Sequence, residues 1–154
     1  MRIGVISDTH GLLRPEALAA LRGSDHILHA GDIGDSAILE NLRAIAPLTA
    51  IRGNIDSFGV CADLPPTEFV ELAGRSLYML HDLAALDLDP VAAGISVIIS
   101  GHSHKPKIER RKGVLYFNPG SAGPQRFSLP ISLGMLEIVD NTLTPRLIDL
   151  GRSK

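Results

Sequence analysis

The sequence has a single cysteine, Cys61, so no intramolecular disulfide can form. A reducing compartment, the cytoplasm, is the expected setting. Charge of one sign is also missing: 15 Lys and Arg against 17 Asp and Glu give a formal net charge of -2, with no block of like charge. Broad electrostatic capture of nucleic acid therefore finds no support, although a local positive pocket remains open. No apolar run approaches the roughly 18 residues that a membrane span needs. Residues 1–8 are too short an apolar stretch for a signal peptide. Internal repeats, low-complexity tracts and linkers are absent as well. What is present is ordinary globular composition, 45% hydrophobic and 21% charged over 154 residues. That length suffices for a substantial core and is expected to form a single domain, 1–154.

The chemistry gathers where predicted strands end. Residues 2–7, with Ile3, Val5 and Ile6, read as a buried strand that runs into Asp8-Thr9-His10-Gly11. Pro15-Glu16 starts a helix with Ala17, Leu18 and Leu21 on its apolar face and Gly23 as its C-terminal cap. A second strand, 26–30, runs into Gly31-Asp32-Ile33-Gly34-Asp35. The next helix begins near Ser36, capped by Asp35 or Ser36, with Ile38, Leu39, Leu42, Ile45 and Ala46 on one face. A third strand, 47–52, ends in Gly53-Asn54-Ile55-Asp56. Residues 61–67 read as a loop, and 68–72 with 76–80 as a hairpin ending at His81-Asp82. Residues 83–94 are short, with one or two helical turns. The strand 96–100 then leads into Gly101-His102-Ser103-His104. Two further hairpins follow, 107–111 with 114–117 and 131–139 with 143–150, separated by Asn118-Pro119-Gly120-Ser121. The first third is thus α/β and the rest mostly β. Two sheets packed face to face as a β-sandwich, with helices outside in an α/β/β/α order, would bury this many apolar strands.

In open α/β sheets, ligands bind beyond the carboxyl ends of the strands. Each motif alone reads equally well as a turn or a surface histidine. Their recurrence at one strand end after another favours ligands. The collected candidates are Asp8, His10, Asp32, Asn54, His81, His102 and His104. Residues two apart in extended chain point the same way, which would let Asp8 with His10, or His102 with His104, face one ion. The set has oxygen and nitrogen donors and no thiolate, which suits Mn, Fe, Zn or Ni. Seven donors are too many for one tetrahedral ion and fit two divalent ions sharing a carboxylate.

The order Asp-x-His, Gly-Asp, Gly-Asn, His, Gly-His-x-His resembles the signature of the calcineurin-like metallophosphoesterases. The short length and the Asn118-Pro119-Gly120-Ser121 motif look like the small YfcE-type phosphodiesterase group. The resemblance implies a two-sheet sandwich flanked by helices and a dinuclear metal site. Asp8, His10 and His104 would hold the first ion, Asn54, His81 and His102 the second, and Asp32 would bridge them. The two histidines of residues 101–104 would then form a fork serving different ions. The implied activity is hydrolysis of a small-molecule phosphoester, foremost a phosphodiester, by a metal-bridging hydroxide, with Asp32, Asn54 and His102 as the catalytic residues and manganese as the first choice of metal. Ligand histidines must be neutral, so metal binding should weaken below about pH 6.5.

Two positions depart from the family pattern. Larger members place a histidine after the metal Asn, where this chain has Ile55, which has no proton to give. A slow hydrolase favouring activated leaving groups is expected. Asp82 stands where the family commonly has glycine. A non-catalytic interaction scaffold on the same fold, as in the retromer subunit, is the competing expectation. His26 and His29 are expected in packing or supporting roles, with His29 the nearer to Asp32. Asp35 and Asp56 are expected as caps or loop anchors. Arg14, Arg52, Lys105 and Arg126 are expected as solvated charges, although each could meet a phosphate. A homo-oligomer is left open by the sequence.

Overall fold

Side-chain alternation divides the apolar residues of each inner strand between two layers. In β1 (Arg2–Ile6), Ile3 and Val5 enter a core between two sheets, whereas Ile6 enters a second core under the helices. In β2 (His26–His29), Leu28 joins the first core and Ile27 the second. The computed structural model describes residues 1–151.

The first sheet has the order β10-β9-β1-β2-β3, where β3 is Leu48–Ala50, β9 is Ser132–Val139 and β10 is Thr142–Asp149. β1, β2 and β3 are parallel, and β9 is antiparallel to both β1 and β10. Parallel neighbours need long crossovers. Helices α1 (Pro15–Leu21) and α2 (Ser36–Arg43) make them. α1 starts on Pro15, whose missing N–H is no loss at the first helical position. At α2 the Asp35 carboxylate accepts from the Ala37 N–H at 2.9 Å. Ala17, Leu21, Ile38, Leu39 and Leu42 press both helices onto the same face of this sheet.

The second sheet has the order β4-β5-β6-β8-β7: Thr67–Leu72, Arg75–Leu80, Val97–Ile99, Val114–Asn118 and Lys107–Arg111. β5, β6 and β8 run parallel, with β4 and β7 antiparallel at the edges. Leu77, Met79, Val97, Ile99, Leu115 and Phe117 face the first sheet across the shared core. The opposite face carries Tyr78, Leu80, Ile98 and Val114. It is covered by a 3₁₀ turn, Leu83–Ala85, and the loop that follows rather than by an α-helix.

The expected two-sheet sandwich with flanking helices is therefore present, and among the described residues its α-helices lie on one sheet only. Residues 61–67 are not all loop: a 3₁₀ turn at Val60–Asp63 follows Gly59, and β4 begins at Thr67. Among the described residues no helix is long and apolar enough to cross a membrane. The motif-bearing turns after β1, β2, β3, β5 and β6 meet at one edge of the sandwich, where Asp8 N–H donates to Gly31 O and Gly101 N–H to His81 O, both at 3.0 Å.

Candidate metal centre

The strands stop just before the candidate ligands. Asp8, His10, Asp32, His102 and His104 all have φ between 45° and 72°. This left-handed region costs an L-residue about 1 kcal/mol or more, so it persists only where surroundings enforce it. The enforcing contacts come from distant turns. His10 N–H donates to Asp32 O at 2.9 Å, Gly11 N–H to Ile33 O at 2.8 Å, and His102 N–H to Asp8 Oδ2 at 3.1 Å. The extended geometry expected for Asp8/His10 and His102/His104 is thus absent, because ladder pairing has ended and side-chain and loop bonds have replaced it. His102 and His104 consequently diverge.

Two groups of donor atoms result. Asp8, His10 and His104 form one; Asp32, His81 and His102 form the other, with the donor atoms of each within 4.8 Å of one another. Asp8 Oδ1 lies 3.4 Å from His104 Nε2 and 3.7 Å from both His10 Nε2 and His81 Nε2. Asp32 Oδ2 reaches both groups, 3.4 Å from His10 Nε2 and 3.1 Å from His81 Nε2. Asn54 Nδ2 lies 3.5 Å from His102 Nδ1, beside the second group. All seven candidates from the sequence are brought together.

Three of the inward atoms, Asp8 Oδ1, His10 Nε2 and His81 Nε2, are buried with no hydrogen-bond partner among the described residues. Orphaned acceptors converging on one space fit cations. The donor set of carboxylate, amide and imidazole suits a borderline divalent ion. His81 is oriented for this: its Nδ1 lies 2.7 Å from Ala30 O, so that nitrogen carries the proton and Nε2 presents its lone pair inward.

Charge favours the ligating forms of both carboxylates. Burial raises the Asp32 pKa, but the neighbouring His81, the Ile55 N–H and the charge of His10 outweigh it and bring it to about 2. Burial likewise opposes ionisation of Asp8, yet His10, His81, Ser7 and His104 together hold its pKa below the ordinary value. For His81, burial is overcome by Asp32, the Ala30 carbonyl and Asp8, and its pKa is raised. For His104, burial dominates and lowers it, with Asp8 opposing and Arg126 assisting.

Several residues outside the donor set shape the centre. A Cβ on Gly53 would collide with the Asp32 side chain and backbone, and one on Gly101 would stand 2.7 Å from Asp8 Oδ2. The glycines preceding Asn54 and His102 therefore allow two turns to close onto carboxylates; their regular placement before ligands was the available clue. Ser7 Oγ donates to Asp8 Oδ2 at 2.7 Å, and Ser121 Oγ donates to Asp8 O at 3.0 Å. Asp56, expected as a loop anchor, accepts from the Ile33, Gly34 and Gly53 N–H groups and ties the Asp32 turn to the Asn54 turn.

His29 is fully buried. Its Nδ1 accepts from the Gly31 N–H at 3.1 Å, and its Nε2 is 3.1 Å from Thr9 Oγ1. The Thr9 hydroxyl spends its proton on Ile33 O, so it accepts from His29 Nε2–H. The network fixes a neutral imidazole, and complete burial lowers the His29 pKa to about 4. Asp82 needs no unusual backbone: its φ is -109°, and its carboxylate accepts from the Ala84 N–H. Arg14 donates to Gly123 O and Arg52 to Ala62 O.

Comparison with known proteins agrees with this geometry. Residues 1–141 match the model of the calcineurin-like phosphoesterase superfamily domain. The probable metallophosphoesterase MJ0623 of Methanocaldococcus jannaschii is 34% identical, over 97% of this chain and 82% of that protein. Phosphodiesterase YfcE of Escherichia coli K12 is 29% identical, over 89% and 88%. A solved structure described as a novel archaeal phosphodiesterase superposes with a TM-score of 0.79 at 22% identity, covering 96% of this chain and 100% of that one. Vps29 of Chaetomium thermophilum gives 0.77 at 18% identity, covering 96% of each. At those identities the structures show the fold alone. The chain belongs to the calcineurin-like phosphoesterase superfamily.

Proposed function

We propose, with that membership as the premise, that this protein is a dinuclear-metal phosphoester hydrolase acting foremost on phosphodiesters. Asp8, His10 and His104 would hold one divalent ion, Asn54, His81 and His102 the other, and Asp32 both. The observation that carries the reading is the convergence of Asp8 Oδ1 and Asp32 Oδ2 on the same two orphaned nitrogens, His10 Nε2 and His81 Nε2. When bound, two such ions supply charge to clamp a phosphoryl group and to activate water for in-line attack on phosphorus.

The chain's own residues prepare that chemistry. Ionised Asp8 and Asp32 favour cation entry, and the His81 Nδ1–H stays on Ala30 O, so Nε2 remains a donor of electrons. Asn54, being neutral, keeps the centre cationic towards an anionic ester and can turn its amide to a phosphate oxygen. Ile55 presents its backbone N–H to Asp32 Oδ1 at 3.1 Å, and its side chain offers no proton to a leaving group. A positioned acid contributes typically about 10²–10⁴-fold, so esters with activated leaving groups are the favoured substrates. Manganese in the cytoplasm, where the single Cys61 stays reduced, is the proposed working state.

The test is metal content together with Mn-dependent hydrolysis of bis(p-nitrophenyl) phosphate and p-nitrophenyl phosphate, for the wild type and Asp32→Asn. Loss of an outer partner of a metal ligand costs about 10–100-fold, so loss of the shared ligand should cost at least about 100-fold. Unchanged activity in the variant would overturn the bridging role. Protein that neither binds metal nor hydrolyses either ester with any divalent ion would overturn the hydrolase and leave the interaction scaffold.

A further inference from the structure

The thin cover on the second sheet has a consequence beside the centre. The 3₁₀ turn and loop after Asp82 leave a cavity of about 300 Å³ on that outer face, lined by Leu83, Lys105, Lys107, Glu109, Tyr116 and His102. His102 is shared with the candidate centre, so whatever fills the cavity lies against the reacting group. We propose, resting on the hydrolase reading, that this cavity binds a nucleoside as one ester arm of the substrate.

The lining argues for that class. Leu83 and the Tyr116 ring give an apolar wall. The Arg111 guanidinium lies 4.7 Å from the centroid of the Tyr116 ring and fixes it in place. A flat, polarizable base is the group that gains most from such a wall, through stacking. The opposite side is ionic. Lys107 is committed to Glu109 at 2.9 Å. Lys105 forms no ion pair among the described residues, and the Tyr116 hydroxyl makes no hydrogen bond among them, so both are available to the carbonyls and hydroxyls of a base and sugar. A long alkyl arm would lie against these charges without satisfying them. The volume is at the lower end for ligand sites, which range over roughly 300–1,000 Å³, and matches one base and sugar better than a longer chain.

Two measurements test this, one independent of turnover. In calorimetric titration of the Mn-loaded protein, thymidine 5′-monophosphate should bind about tenfold tighter than inorganic phosphate, the gain expected of one stacked base. Tyr116→Ala, with its fold checked by thermal unfolding, should remove most of that ratio. Lys105→Ala, on an exposed turn, should lower it separately. In hydrolysis, thymidine 5′-(p-nitrophenyl) phosphate should show a KM about tenfold below that of methyl p-nitrophenyl phosphate, with similar kcat. Equal binding of the nucleotide and phosphate, or a ratio untouched by both substitutions, would overturn the nucleoside arm while leaving the hydrolase standing. Absence of hydrolysis of either ester would instead sink the hydrolase, and the binding ratio would still decide the cavity's ligand.

Discussion

The two donor groups differ in how they are enclosed. In the Asp8, His10 and His104 group, Asp8 is fully buried and His104 nearly so. In the Asp32, His81 and His102 group, Asp32 and His81 are buried, but the His102 side chain is 42% exposed. The enclosed group is braced from several sides, by Ser7 and Ser121 on Asp8 and by the left-handed turns on either side of it. The open group ends in a ring whose nearest charged neighbour, Asp82, is itself exposed and 3.8 Å away. The contrast rests on two side chains: buried Asp8 anchors one group in the folded core, whereas the exposed His102 opens the other to solvent. Burial decides which donors carry stability and which can meet a ligand without rearrangement.

The largest test of this contrast lies beneath the enclosed group. His29 is neutral in the fold, with a pKa near 4 against an ordinary value near 6.5. Below pH 6.5 the unfolded chain takes up a proton that the folded chain refuses. Stability from this residue is therefore complete above about 6.5 and lost as pH falls towards 4, by about 3 kcal/mol. His81, whose raised pKa acts with the opposite sign, contributes stability below 6.5 that fades as pH rises through its folded pKa. Urea unfolding of the metal-free protein at a series of pH values, for wild type and His29→Gln, isolates the difference. Parallel curves for the two proteins would show that His29 is not the acid-sensitive brace.

A smaller effect separates the groups themselves. His104→Ala should destabilise the metal-free protein by about 2 kcal/mol, whereas His102→Ala should remain within about 0.5 kcal/mol of wild type. Both should lose metal-dependent hydrolysis. Equal destabilisation by the two substitutions would remove the distinction between an enclosed and an open group.

The smallest effect concerns the acid missing at position 55, in the cavity that His10 also lines. Ile55→His should raise turnover of esters with poor leaving groups by at least about tenfold, with little change for p-nitrophenyl esters. An unchanged ratio between the two ester classes, at full metal content, would show that the leaving group does not meet position 55.

Much of this was legible from residue order. The ligand motifs at strand ends, the α2 cap at Asp35 and the closing hairpins were read from alternation and turn chemistry, which are local. The supporting role expected of His29 beside Asp32 is present, through the N–H of Gly31, but its second partner, Thr9, lies on another turn, because a strand position gives the face of a side chain and not its partners. The outer cover of the second sheet was expected to include one or two helical turns. Residues 83–94 indeed hold two turns, the 3₁₀ turn Leu83–Ala85 and a second that starts at Asp89, whose Oδ1 accepts from the Val91 N–H and whose carbonyl accepts from the Ala93 N–H, and Leu83, Leu86 and Leu88 seal the apolar face beneath.

The sequence alone determined the donor set. Carboxylates, an amide and imidazoles, each just past an apolar strand, are donors of a kind that could hold a metal ion, because ligand chemistry belongs to the side chain. The tertiary structure decided which donor belongs to which group. His102 and His104, separated by one residue, part company because the left-handed backbone between β6 and β7 is imposed by Asp8, 94 residues away from His102, and by Asn118 on Gly101 O. No local preference specifies those angles. They exist because two sheets, pressed together by their shared apolar core, bring five turns to one edge and leave each turn's buried backbone groups to be satisfied by the others.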